Sequence, residues 1–438
     1  MMRRLFKIAA LSAAFIAGVF MAATTPWRTA AEKVNSLEKV NSLDAAGEEN
    51  RPARSRRAGT KLRLIKIAVL LAALAFGGFL VAASGVIPIK ASSGHWAITR
   101  WFLSFSMHRS IATHTIGMET PELDEPGLVL KGAGHYKTAC AACHGSPELP
   151  KPRIAQEMTP HPPYLPPVVS EWEPAELFYI VKHGIKFTGM PAWPSQQRDD
   201  EVWAMVAFLR RFPEMDAEEY RRLVNGEVAV STEVALLPEM LEPERAPRAV
   251  IESCGRCHGM DGLGRGVGAF PRLAGQSPTY LAASLKAYAS EERHSGIMEP
   301  VAAALSDEEI SELARYYGNL QPEAPSPPAQ EAAPAIERGR GIALNGIPSQ
   351  RVPSCIDCHG PKELTFSGPL PRNPAYPILA GQYADYLALQ LELFKKGRRG
   401  GTAYAHIMHR VAEGLSPEQM RDVALYYASL SPAANGGQ

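Results

Sequence analysis

At 438 residues the chain is long enough for three small domains and an anchor rather than one domain. A net charge of +1 argues against nucleic acid as the main partner and marks no acidic substrate. With 37 Pro and 36 Gly, a large regular sheet is unlikely, and loop-rich helical domains joined by linkers are expected.

Residues 1–63 form an N-terminal segment with a short apolar stretch, Ile8 to Ala23, resembling a signal-peptide core. Its polar part, where Glu32 to Leu37 is echoed by Glu38 to Leu43, is expected to be poorly ordered. The second apolar stretch, residues 64–89, is the expected transmembrane helix, since about 20 residues cross a bilayer. Its basic lead (Arg51, Arg54, Arg56, Arg57, Lys61, Arg63, Lys66) stays in the cytoplasm by the positive-inside rule, which puts the rest of the chain outside. Residues 90–124 are then a membrane-interface segment, in which His95-Trp96 and Trp101-Phe102 anchor at the headgroups and 96–112 make an amphipathic helix. His108 and His114 read as surface histidines rather than metal ligands.

Residues 125–222, 245–320 and 335–432 each carry one Cys-x-x-Cys-His: Cys140 to His144, Cys254 to His258 and Cys355 to His359. Such a motif sets two thiols one helical turn apart, able to add to the two vinyl groups of a haem, with the adjacent imidazole able to reach the iron. These motifs use all six cysteines, leaving none for a zinc tetrad or a disulfide, and neither zinc nor a redox dithiol requires His after every second Cys. Three covalently bound haem c groups are expected. Bacterial haem attachment takes place outside the inner membrane, so the haem domains belong on the periplasmic side. A cleaved signal at Ile8 to Ala23 would reverse that topology. The first stretch therefore reads as an extra span, a membrane-surface segment or an over-long start.

An electron-transfer haem needs a second axial ligand, and a Met thioether raises its potential. Met190 in Thr188-Gly-Met-Pro191 is preferred, because Pro fixes the loop, over Met158 and over Met205, which shares a helical face with Val202, Val206 and Leu209. Met298 is the second choice, since Met260 is too close to the attachment site to cover the opposite haem face. Met408 is the third; its neighbours His406 and His409 are the alternatives, and either would lower the potential.

The second and third domains are repeats. Pro271 to Gln276 followed by Tyr280-Leu281 recurs as Pro377 to Gln382 followed by Tyr386-Leu387. Leu305-Ser-Asp-Glu-Glu309 with Tyr316-Tyr317 recurs as Leu415-Ser-Pro-Glu-Gln419 with Tyr426-Tyr427, each Ser capping a helix. Residues 223–244 make one linker, and the Pro/Ala-rich 321–334 a semi-rigid second. The run Lys395, Lys396, Arg398, Arg399 reads as a solvated face in preference to a dock for an acidic partner.

The motif, the Gly259-Met-Asp-Gly262 turn, Pro271 to Gln276, Met298 to Val301 and the Tyr-Tyr helix resemble class I cytochromes c. Residues 245–432 resemble the tandem two-haem periplasmic kind, and 125–222 a single-haem domain of membrane-bound cytochrome subunits. The resemblance implies an all-α fold: three small globules in tandem after the transmembrane helix, with terminal helices crossing near each haem, His on one face and Met on the other. It also implies a proline carbonyl that orients each imidazole, at Pro271 and Pro377 and, in the first domain, at Pro166 or Pro167. Two departures stand out. The helix before Cys254 is short and lacks the Gly-x-x-x-aromatic spacing of Gly132 to Tyr136, and Gly346 to Pro353 is inserted before the third motif.

The expected function is single-electron transfer at the inner membrane, with no catalytic residues. The donor would be a dehydrogenase or quinol-oxidising complex, and the acceptor a soluble cytochrome or terminal oxidase. An obligate cytochrome subunit of a dehydrogenase complex is one alternative. A haem enzyme of peroxidase or nitrite reductase type, with one open iron, is another.

Overall fold

A computed structural model of the chain describes residues 54–225, 246–266, 268–323, 330–360 and 373–432. The stretch Ile8 to Ala23, the polar echo behind it, residues 226–244 of the first expected linker and 324–329 of the second lie outside the described residues. The chain divides into two compact units after Ile89.

The first unit contributes helix α1, Arg54–Ala83. Its stretch Thr60–Ala83 is exposed and is long and apolar enough to cross a membrane; no other described helix is. The helix ends at Ala83 rather than at the expected Ile89. Ser84 turns its hydroxyl onto Val81 O, Gly85 takes a left-handed conformation (φ 71°), and Pro88 follows.

Near the start of the second unit a helix stands where one was expected, α2 (Ala97–His114), with Ile98, Trp101, Phe102 and Phe105 exposed along it and Trp96 exposed just before it. Ile111 is buried, and His108 and His114 stack on Trp172 and Tyr179, at 4.7 and 5.3 Å. Both histidines therefore pack the helix onto the body behind it.

The first lobe is built from α3 (Pro126–His135), α4 (Ala141–His144), α5 (Pro174–His183), α6 (Asp199–Arg211) and α7 (Ala217–Asn225). Acids in the first turn of α6 and arginines in its last complement the helix dipole. Helices α3 and α6 cross at Gly132, where a Cβ would run into Ala204 O, and the core there includes Tyr136, Met205, Phe208 and Phe212. Met205 is thus core, as its spacing implied. Helix α7 runs to Asn225, past the expected linker start at 223, because Tyr220 and Val224 are fully buried on the same core.

The second lobe has α8 (Gly255–His258), α9 (Pro278–Ala289), α10 (Met298–Ala303) and α11 (Asp307–Asn319). Its described residues before the attachment helix end in a π-type turn, Val250–Cys254. Val250 is wholly buried there, in a core with Leu281, Leu313, Ala314 and Tyr317.

The third lobe comprises α12 (Ala333–Asn345), α13 (Ile356–His359), α14 (Ala384–Lys395), α15 (Ala405–Glu413) and α16 (Pro417–Ser429). Helices α12 and α16 cross at Gly339, which lies on Asp422 O, while Arg338 grips the Asp422 carboxylate at 2.7 and 2.8 Å. The inserted segment closes on itself through Ile347 N to Val352 O (2.7 Å) and seats Val352 in a core with Phe394, Leu415 and Met420. Ser306 and Ser416 form the expected capping boxes with Glu309 and Gln419. Only isolated bridges, and no strand, occur among the described residues, so the all-α expectation holds.

Two predictions follow from this packing. Gly339→Val wedges α12 off α16 and lowers stability by about 3 kcal/mol, whereas Gly341→Ala, which meets open space, is neutral or raises it by about 0.5 kcal/mol, as denaturant midpoints will show. His135, 7% exposed, is held down at about 4, first by burial and then by Arg256. It stays neutral when folded while the unfolded chain takes up a proton below about 6.5, so stability is lost as pH falls from there towards 4, by up to ~3 kcal/mol. His135→Phe should flatten that loss when midpoints at pH 7 and pH 4.5 are compared.

Candidate haem-binding centres

Each motif folds the same way. The second Cys and the His occupy a four-residue helix, α4, α8 or α13, so thiols and imidazole share one turn. All six thiols are free and partly buried. Burial pushes Cys140 and Cys355 up to about 12 and Cys254 up to about 11. Such thiols stay protonated, the reverse of a redox dithiol. Among the described residues no three His, Cys, Asp or Glu side chains gather as a zinc tetrad would require.

Each motif imidazole donates from Nδ1 to a proline carbonyl: His144 to Pro163 at 2.8 Å, His258 to Pro271 at 3.0 Å and His359 to Pro377 at 3.0 Å. A carbonyl only accepts, so the proton sits on Nδ1 and Nε2 keeps a lone pair for a metal. Burial lowers the pKa of His144 and His258, against the pull of those carbonyls, and so favours the neutral ring. Pro271 and Pro377 were expected. In the first lobe the partner is Pro163 and not Pro166 or Pro167. The separation in the third lobe, 18 positions, points to the Pro162-Pro163 pair rather than to Pro166 or Pro167, without choosing within it.

The thioethers come from separate elements. Met190 sits in the loop after α5, its N–H bonded to Thr188 Oγ1 (3.1 Å), and Met158 packs over the adjacent Gly189. Met298 opens α10, its N–H on Ser295 Oγ (3.0 Å). Met260 lies over Gly255 beside the attachment turn. Met408, on α15, packs against the Phe394 core. Of its rivals, His406 is exposed, and His409 is tied through Nε2 to Arg399 O at 2.6 Å and packs beside Phe394. The arrangement favours Met408 over both.

The second and third lobes meet through reciprocal bonds that reach the imidazole-orienting loops. Gln276 accepts from Ile378 N (2.7 Å) and donates to Ile378 O (2.9 Å), while Gln382 accepts from Arg272 N (3.1 Å) and donates to Arg272 O (3.0 Å). Each amide thus grips the residue after the other lobe's ligand-orienting proline. Deeper in, Arg293 bonds Tyr386 Oη and Gln390 Oε1, and Arg399 bonds Gln390 Oε1 and Tyr280 Oη. Burial would push the Tyr280 phenol up, but Arg399 and Arg293 outweigh it and hold the phenol at about 8. Two buried guanidiniums bonded to neutral oxygens suit a cofactor that brings its own carboxylates. The expected solvated face is corrected at Arg399, which is only 7% exposed, while Lys395 and Lys396 are exposed. No local pattern marks the burial of either arginine.

Taken together, free thiols, imidazoles held through Nδ1 and partly buried thioethers fit a haem at each motif, with Cys140, Cys143, Cys254, Cys257, Cys355 and Cys358 as its attachment points. The family described as cytochrome c oxidase, cbb3-type, subunit III matches residues 127–209 and 242–316. A thiosulfate dehydrogenase electron acceptor of Thiomonas intermedia (strain K12) is 36% identical over 182 residues, 41% of this chain and 80% of that protein. Cytochrome c4 of Thiocapsa roseopersicina is 32% identical over 197 residues, 45% of this chain and 97% of that one. Among solved structures, the cytochrome c4 of Acidithiobacillus ferrooxidans is 33% identical and covers 40% of this chain and 98% of its own, with a TM-score of 0.35. The motif geometry and these likenesses agree: the chain belongs to the c-type cytochromes, electron-transfer proteins carrying covalently bound haem c, and is related to the tandem two-haem cytochromes c4.

Proposed function

We propose that the chain is a membrane-anchored tri-haem cytochrome c, passing single electrons along the periplasmic face of a bacterial inner membrane. The observation that carries this reading is the threefold recurrence of a Cys-x-x-Cys-His turn whose imidazole Nδ1 is held by a proline carbonyl, each in a lobe with its own Met. Bound haem supplies a ferric/ferrous couple at each centre. The chain's part would be to fasten it through two thiols and to hold its iron through Nε2 of His144, His258 and His359 and the thioethers of Met190, Met298 and Met408, which would leave no position for water or substrates.

The anchor is α1, supported by its apolar length and the basic residues Lys61, Arg63 and Lys66 at its start. The exposed Trp and Phe side chains of α2 suit the headgroup layer. The donor is a dehydrogenase or quinol-oxidising complex and the acceptor a soluble cytochrome or terminal oxidase. The names of two relatives, thiosulfate dehydrogenase electron acceptors, favour a dehydrogenase as donor and support the second reading, an obligate cytochrome subunit of such a complex. Copurification with a stoichiometric dehydrogenase subunit would separate the two.

Purified full-length protein should carry three haems per chain, counted spectroscopically against protein mass, and Cys254→Ala with Cys257→Ala should leave two. The reduced wild type should bind no carbon monoxide. Met190→Ala, Met298→Ala and Met408→Ala should each let one haem in three bind it and lower one midpoint, by on the order of 100 mV within the ~0.8 V range set by axial ligands. Carbon monoxide uptake by the native reduced protein would end the pure-carrier reading.

A further inference from the structure

The junction between the first and second lobes carries a buried carboxylate aimed at the loop before Met298. Glu201, in the first turn of α6, is 2% exposed. Its Oε1 accepts from Ser295 Oγ at 2.6 Å and its Oε2 from Gly296 N at 2.7 Å. Trp193, three residues after Met190, adds its indole N–H to Oε2 at 3.4 Å, and its ring lies where a side chain at Gly296 would be. Ser295 Oγ in turn accepts from the backbone N–H of Ile297 (3.3 Å) and Met298 (3.0 Å). Ile297 is packed against the first lobe's core. Arg198 seals the corner, paired with Glu201 at 2.9 Å, bonded to His294 O at 2.7 Å, and gripping Asp200 with two bonds of 2.8 Å.

We propose that Glu201 is a positioning residue for Met298: the first lobe sets the ligand geometry and the potential of the second lobe's haem. This rests on Met298 being the axial ligand there. The carboxylate acts in two ways. Through Ser295 and Gly296 it fixes the turn from which the thioether is delivered, which a fully bonded buried network does with little freedom. Paired with the buried Arg198, its carboxylate offsets that guanidinium's positive charge beside the turn, which favours the oxidised, more positive iron. Such a contact is available to this chain because a third cytochrome lobe precedes the other two.

The test is a redox titration of the full-length protein, followed in the visible bands and in the thioether-to-iron charge-transfer absorption. Met298→Ala comes first, because it identifies the second haem's step by removing its share of that absorption. Glu201→Gln takes away the charge and keeps an amide of the same shape. It should raise that one midpoint, a tenfold change in reduced-to-oxidised ratio being ~59 mV, and leave the other two in place. Ser295→Ala keeps the charge and cuts the link, and should weaken the second haem's thioether absorption without that rise. Unchanged thioether absorption in Met298→Ala overturns the ligand assignment and the proposal with it. If Met298→Ala behaves as stated while Glu201→Gln and Ser295→Ala leave the second haem untouched, or shift all three midpoints alike, the proposal fails and the ligand assignment stands.

Discussion

The bond from imidazole Nδ1 to a proline carbonyl is the constraint on which the rest depends. It decides the tautomer, and with it whether a lone pair faces the metal site at all. Proline is suited to the task because its fixed φ holds the carbonyl's direction and its missing N–H creates no competing bond. Around that point each lobe needs little more than a few helices, because small globules of this size have thin cores and a covalently held apolar cofactor adds to them.

The lobes solve the same packing problem with different means. In the first and third, a glycine lets two helices touch backbone to backbone, at Gly132 and at Gly339. In the second, the turn Val250–Cys254 seats Val250 in the core. The first lobe presses on this one: Gly134 of α3 lies against Phe270 and Cys257, and Leu130 against Gly266. The middle lobe is held from both sides.

Much of this was legible in the residues. Six cysteines in three identical frames, serine caps before acidic turns and the repeated Pro-x-Leu-Ala-Gly-Gln segments have short-range physical causes, so local reading found them. Met205 was assigned to the core by helical spacing alone, and it is 1% exposed. What escaped was set by tertiary approach. Pro163 replaced Pro166 or Pro167 because the path of a loop decides which carbonyl arrives. Arg399 was read as solvated because charge in sequence does not reveal burial, and nothing local sets Glu201 apart from the other first-turn acids of α6. Helix α1 ended early because Ser84 and Gly85 outweighed an apolar pattern that continues to Ile89.

The exchanged amides of Gln276 and Gln382 have a consequence for speed. Electron tunnelling between two centres falls off steeply with the gap, so any hinge between them would scatter the rate over many values. Here each lobe's side chain is bonded to the other's backbone at both donor and acceptor, twice over, in a patch where both glutamines are buried. With a haem held in each of these lobes, the four bonds would resist a hinge that widens the separation, and transfer across it would keep a narrow spread of rates.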